Sequence, residues 1–351
     1  MKMTSKSVVF AFSTFFTFFT FSTGQAEPYL AAREAKSCLA CHVSPSGAGV
    51  RNLEGREFSR AMAFPKNEAD LQLDQPRLKV GEIPVFIGAD VRASWLVAKN
   101  AQIFDQPQTA IYFHAAPTEE LDVVLSADFF STKEAYGLLK WGEAFALKAG
   151  RFTLPFGLLM GDPRSLLAQG SGFGTHVQDV GAEFNLHGRL DTSQYFLRGA
   201  LTNGSGVGSR IRALTMQMGA QYEAYAVGLS GHLHKGDTGD RWRYGTFGWW
   251  RALPFVFLFE LDSGREPVTD AALLLLHGTA EWNVVSGVQA GFSYEWWDAD
   301  TRVTGDDRQR VAAKLRFFPL SYVECTVTTA VVSRPTFEDA IEGLLSLHFF
   351  Y

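Results

Sequence analysis

The sequence predicts an all-β fold: a closed transmembrane barrel of about 16 antiparallel strands, of the outer-membrane kind, behind a small N-terminal segment. Three observations predict it. From about Gly81 to the last residue, apolar and polar side chains alternate with period two, the pattern of strands with one greasy and one wet face. The links between these runs are short and long by turns, as in a barrel with tight turns at one rim and loops at the other. The outward faces are too many and too apolar for one partner sheet to cover, whereas lipid covers all of them at once.

In chain order, residues 1–26 read as a secretory signal peptide. Lys2 and Lys6 precede an apolar stretch over 8–21, and Gly24-Gln25-Ala26 supplies the small-residue cleavage site ahead of Glu27. The stretch is too short, and too interrupted by Ser and Thr, to anchor in a membrane. Its removal takes the formal charge from −5 to −7, because only Lys2 and Lys6 are lost. No basic patch of nucleic-acid type is present, and no nucleic-acid partner is expected.

Residues 27–80 form the second element and carry Cys38-Leu39-Ala40-Cys41-His42. C-x-x-C-H is the attachment spacing of c-type haem. On that reading Cys38 and Cys41 form thioethers to one covalent haem c, and His42 is the proximal ligand of its iron. A redox dithiol, half of a zinc site and a simple disulfide are the other readings of such a pair. A dithiol motif belongs at a strand-to-helix turn of an α/β pattern, which is not visible here; a zinc site wants a second pair, and Cys325 stands alone. A segment of roughly 50 residues is too small to wrap a haem with a core of its own, so the cover must come from elsewhere. Met62 is the candidate distal ligand inside the segment. His348, expected on the lumen face near the rim where the segment enters, and His187, beside a short turn on that side, are the candidates from the barrel.

Residues 81–351 are the barrel. Val85, Ile87, Ala89, Val91, Ala93, Trp95 and Val97 alternate with Asp90, Arg92 and Ser94, and the same alternation recurs around Leu121–Phe129, Leu214–Tyr222 and Val288–Trp296. Short links are expected at Pro117-Thr118, Trp141-Gly142, Gly188-Arg189, Glu223-Ala224, 252–254, Val284-Val285 and 318–320. Longer polar loops are expected over 100–106, 155–175, 203–209, 235–240, 263–269, 298–307 and 334–338. The count is 16 strands, or 14 if 134–141 is not a strand of its own. Gly343, Leu345, Leu347, Phe349 and Tyr351 share one face of the last strand, and a terminal aromatic there is similar to the C-terminal signal read by the outer-membrane assembly machinery. Composition agrees: 46% apolar residues with a mean hydropathy of −0.02 suit half-apolar strands better than membrane helices.

Taken together, the 38–52 stretch and the terminal strand resemble the fused monohaem cytochrome-porins, outer-membrane proteins that join an N-terminal c-type haem segment to a barrel. The resemblance implies electron transfer across the outer membrane, in some members from extracellular Fe(II). It also implies a periplasmic c-type cytochrome on the inner side and an extracellular electron donor or acceptor on the other. Of the family's functional residues only Cys38, Cys41 and His42 carry over by motif. The alternative is a diffusion porin with a peripheral or sensory haem segment. No Ser/His/Asp order, paired-carboxylate motif or H-E-x-x-H is present, so no hydrolytic or transferase site is expected.

Overall fold

The computed structural model describes residues 28–62 apart from 48, and 78–351 apart from 100, 129–131, 160, 163, 176, 205–211, 237, 238, 267, 268 and 336. The expected signal peptide and most of the 203–209 loop lie outside the described residues. Among the described residues seventeen strands follow one another. The first nine are β1 (Leu78–Val80), β2 (Ile83–Ala98), β3 (Ala101–Ala115), β4 (Leu121–Asp128), β5 (Thr132–Trp141), β6 (Phe145–Thr153), β7 (Gln178–Leu190), β8 (Ser193–Thr202) and β9 (Arg212–Gln221). The rest are β10 (Tyr225–Gly236), β11 (Gly239–Ala252), β12 (Phe255–Arg265), β13 (Ala272–Val285), β14 (Val288–Asp298), β15 (Arg308–Leu320), β16 (Val323–Arg334) and β17 (Phe337–Phe350).

From β2 each strand pairs antiparallel with the next, and β17 returns to β2 with Leu345 opposite Trp95 and His348 opposite Arg92. The result is a closed 16-strand barrel with no free edge. β1 adds a short hairpin on β2, so pairing starts at Leu78, three residues before the expected boundary. The 134–141 run is a strand, β5, which decides the count for 16 over 14.

Period-two burial follows the sequence. Ile111, Phe113, Val123, Leu125, Val227, Leu229, Leu345 and Leu347 are exposed on the outer wall, while Asp90, Arg92, Asp122, Ser126, Ser346 and His348 are buried inside. Exposed Trp141, Tyr195, Tyr222, Tyr225, Trp250, Phe255 and Trp282 cluster next to the tight turns, the aromatic girdle of a barrel that sits in lipid. Among the described residues no helix is long and apolar enough to cross a membrane.

Two expectations are corrected. Residues 101–106 belong to β3, with Ser94 opposite Asp105 and Ala98 opposite Ala101. Backbone pairing continues to the end of β2, so the stretch is a strand end, not a loop. The turns expected at Gly188-Arg189, Val284-Val285 and 318–320 each fall two to three residues later, at 191–192, 286–287 and 321–322, where Asp191, Gly287 and Tyr322 take positive φ. Backbone handedness, which alternation does not encode, fixes those corners.

The lumen is occupied by two inward pieces of the chain. Residues 154–177, between β6 and β7, fold inward and carry α3 (Leu166–Ser171). Gly157 N donates to Ser230 Oγ at 2.9 Å, Leu158 N to Glu260 Oε2 at 2.8 Å and Leu166 N to Glu295 Oε2 at 2.9 Å, which pins the loop to β10, β12 and β14. From the turn end the N-terminal segment enters: α1 (Pro28–Glu34), a 3-10 turn at Cys38–Ala40 and α2 (Leu53–Ala61). Its side chains meet inward residues around the whole wall. Arg316 lies 4.4 Å over the Tyr29 ring, Arg51 4.6 Å over Phe350 and Arg56 4.6 Å over Phe86, and Arg251 donates to the Arg33 carbonyl at 2.9 Å. Val43 and Val50 of the segment pack in one cluster with Leu138 and Phe152 of the wall and Phe156 and Phe173 of the infolded loop. Segment and loop together form a plug.

Candidate functional site

The site is built on a single helical turn. Cys41 N donates to the Cys38 carbonyl at 3.2 Å and His42 N to the same oxygen at 3.0 Å. Cys38, Cys41 and His42 therefore stand at i, i+3 and i+4, the spacing that places three side chains on one face of a helix. Asn52 holds the turn. Its Nδ2 donates to the carbonyls of Leu39 at 3.0 Å, Ala40 at 3.1 Å and His42 at 3.4 Å, its backbone N donates to the Cys41 carbonyl at 3.0 Å, and its Oδ1 accepts from Gly55 N at 2.9 Å to cap α2. One short side chain joins the motif to the helix that follows it.

The three motif residues line a cavity of about 1650 Å³, counted to its opening on solvent, between the plug and the barrel wall. Met62, His187 and His348 line the same cavity, so the structure brings together every sequence-derived candidate. Gly47 lies against the motif with φ +83°; a Cβ there would stand 3.3 Å from Cys38 Sγ. Cys38 and Cys41 are free and partly buried, as is Cys325. Burial, and after it Glu54, pushes the Cys41 thiol up, the opposite of the lowered thiols that redox dithiols use. Among the described residues no group of three His, Cys, Asp or Glu gathers to hold a bare metal ion, and a zinc site finds no second pair of ligands there.

The distal candidates differ in what already holds them. His348 Nε2 meets Asp90 Oδ1 at 2.7 Å, and its Nδ1 meets Arg92 Nη2 at 2.9 Å and Glu324 Oε2 at 3.3 Å, so both ring nitrogens are engaged. Met62 is buried with Phe318 and Phe350, and Leu30 and Phe58 close over the same cluster. His187 Nε2 and, diagonally across the β7–β8 ladder, Arg198 Nε are buried with no hydrogen-bond partner.

Three contributors escaped sequence reading: Asn52, Arg198 and Lys148. Lys148 Nζ donates to Ser44 Oγ at 2.9 Å and Ser46 Oγ at 3.0 Å, tying the loop just after the motif to the wall. Asn52 had a legible signal as a helix-capping residue before Leu-Glu-Gly; a charge on an inward strand position tells only that the lumen is polar. The scattered lumen histidines are parts of the wall, with His114 on Asp122 at 2.8 Å and His277 on Glu295 at 3.0 Å.

Comparison with known proteins bears on the fold. No protein-family model matches the chain, and no curated protein does. Solved outer-membrane barrels do. In-vitro folded OmpT, an outer membrane protein of Vibrio cholerae, aligns with a TM-score of 0.60 at 9% identity over 79% of this chain and all of its own. An anion-selective porin from Comamonas acidovorans gives 0.59 at 8% identity over 77% of this chain and 100% of that one. The outer membrane channel DcaP of Acinetobacter baumannii gives 0.57 at 12% identity over 78% and 99%. The chain has the outer-membrane porin fold, and roughly a fifth of it lies outside the aligned part.

Proposed function

We propose that this protein is an electron conduit of the outer membrane, in which Cys38 and Cys41 hold one covalent haem c and His42 is its proximal iron ligand, inside a barrel that shelters it. One observation carries the reading: the C-x-x-C-H residues share one face of a fixed turn against a cavity that the barrel wall completes. When bound, the haem supplies a one-electron carrier, whose potential its axial ligands and burial set.

The chain's own residues support this in four ways. Asn52 holds the turn on which the two thiols and the imidazole are spaced at i, i+3 and i+4. Gly47 leaves room beside Cys38, where a side chain would crowd a thioether. Arg198 places a buried cation with an unused donor on the cavity wall, the chemistry that the porphyrin's propionates require. Trp249, Phe196, Phe247 and Leu158 line the same space and keep it apolar, the dry surroundings that a segment this small cannot make alone.

The barrel also supports a position. The short turns mark the periplasmic rim, and the segment enters there. A periplasmic c-type cytochrome is the partner proposed on that side, and an extracellular donor or acceptor, Fe(II) among them, on the loop side. Because the hydrocarbon core is about 30 Å thick, a single carrier beside the tight turns does not span it, and a carrier deeper in the lumen or an additional multihaem partner in the barrel has to complete the route. The porin fold keeps solute passage as the second reading. Against it stands the plug, whose Val43 and Val50 reach the infolded loop and pack with it against the β3–β8 side of the wall.

The test is direct. Expressed with a working cytochrome-maturation system, the purified protein is expected to give a pyridine haemochrome spectrum with one covalent haem per chain, lost in Cys38→Ser/Cys41→Ser. A colourless, folded barrel would overturn the proposal.

A further inference from the structure

We infer that His187, on the inner face of β7, is the distal axial ligand of the iron; the inference rests on the haem reading just given. Three candidates reach the cavity, and their present partners separate them. His348 is held at both nitrogens by Asp90, Arg92 and Glu324, all three of which are buried, so recruiting it would strand a buried carboxylate. Met62 is accounted for by packing against Phe318 and Phe350, and a thioether leaves no donor or acceptor unsatisfied there. His187 alone of the three carries a buried nitrogen, Nε2, that nothing in the structure engages.

Its backbone is fixed as a ligand's must be. His187 N donates to the Ala144 carbonyl at 2.7 Å, beside the tight turn between β5 and β6, and the residue pairs with Phe196 across the β7–β8 ladder. A rigid strand, not a loop, thus presents the imidazole to the space that His42 faces from the plug. The arrangement would also explain how a plug that enters from one rim is fastened: a bond from the wall to the group on the plug couples cofactor attachment to docking of the segment.

The experiment is electron paramagnetic resonance and visible spectroscopy of the ferric haem protein in detergent, in wild type, His187→Ala, His187→Met, His348→Ala and Met62→Leu. Wild type is expected to be low-spin with two imidazole ligands. His187→Ala is expected to lose the low-spin signal entirely and to regain it on addition of imidazole. His187→Met is expected to stay low-spin, gain the near-infrared band of thioether ligation and shift to a higher potential. His348→Ala and Met62→Leu are expected to remain low-spin. A low-spin His187→Ala protein, or loss of the low-spin signal in Met62→Leu or His348→Ala instead, would overturn the assignment while leaving the haem in place. Absence of haem from the wild type would overturn the reading beneath it, and this assignment with it.

Discussion

Lys148 Nζ, on the barrel wall, donates to Ser44 Oγ of the plug at 2.9 Å. Ser46 takes a second proton at 3.0 Å and Glu183 Oε1 the third at 3.1 Å, with the Tyr136 and Phe152 rings 5.3 and 5.0 Å from the ammonium. Lys148 and Glu183 are both at most 1% exposed. A dry ion pair in the lumen wall is therefore completed by two hydroxyls from the segment that follows the C-x-x-C-H motif.

Lys148→Met is expected to cost about 3–5 kcal/mol, because it leaves the Glu183 carboxylate buried and uncompensated. Lys148→Met/Glu183→Gln is expected to recover most of that loss. Urea titration in detergent micelles measures both, and protease accessibility of the 44–46 loop reports whether the plug has come loose.

Gly47→Val is expected to block haem attachment while sparing the barrel. The residue sits at φ +83°, where a β-branched side chain is strained, and its Cβ would crowd Cys38 Sγ at 3.3 Å. Haem staining on a gel should fall to background; heat-modifiable migration, which follows barrel closure, should be unchanged.

Asn52→Asp and Asn52→Ala separate two roles of one side chain. Aspartate keeps the acceptor that caps α2 but cannot donate to the Leu39, Ala40 and His42 carbonyls; alanine loses both. Alanine is expected to cost about 1 kcal/mol more than aspartate, from the lost cap. Both variants are expected to incorporate less haem than wild type, since both free the motif turn.

The infolded loop carries a pH dependence. Asp162 lies in it, and although burial would raise its carboxyl, the Arg310, Lys314 and Arg164 charges outweigh burial and hold it down from 3.8 to about 2. A depressed carboxylate contributes stability that is fully present above the unfolded value of 3.8 and is lost as pH falls through about 2. The contribution is on the order of 2 kcal/mol. Wild type should lose that margin between about pH 4 and pH 2 in a denaturant titration, and Asp162→Asn, weaker at neutral pH, should lose about 2 kcal/mol less over the same interval.

Much of this was legible in the sequence because period two survives in most strands: Leu345 and Leu347 face out and Ser346 and His348 face in, as the alternation requires. The sequence also showed where the C-x-x-C-H motif lies. What alternation could not show is what occupies the lumen. An inward Lys148 reads the same beside water as beside Ser44, and the 154–177 loop reads as an outer loop until Glu260 and Glu295 are seen to draw it in. His187, Met62 and His348 looked alike in the sequence as well. They differ only in partners, and partners come from the register of distant strands, such as the one that sets His348 opposite Arg92. The corners at Asp191 and Tyr322 were misplaced because they depend on local φ and not on hydropathy.

The measurement closest to the central claim is made in sealed proteoliposomes that carry the haem protein, with a soluble c-type cytochrome trapped inside and a membrane-impermeant reductant added outside. The account predicts that the trapped cytochrome is reduced, that Cys38→Ser/Cys41→Ser abolishes this, and that the vesicles show little ohmic conductance because the plug occupies the lumen. A large ohmic pore, with the haem and the trapped cytochrome both indifferent to the external reductant, would contradict it.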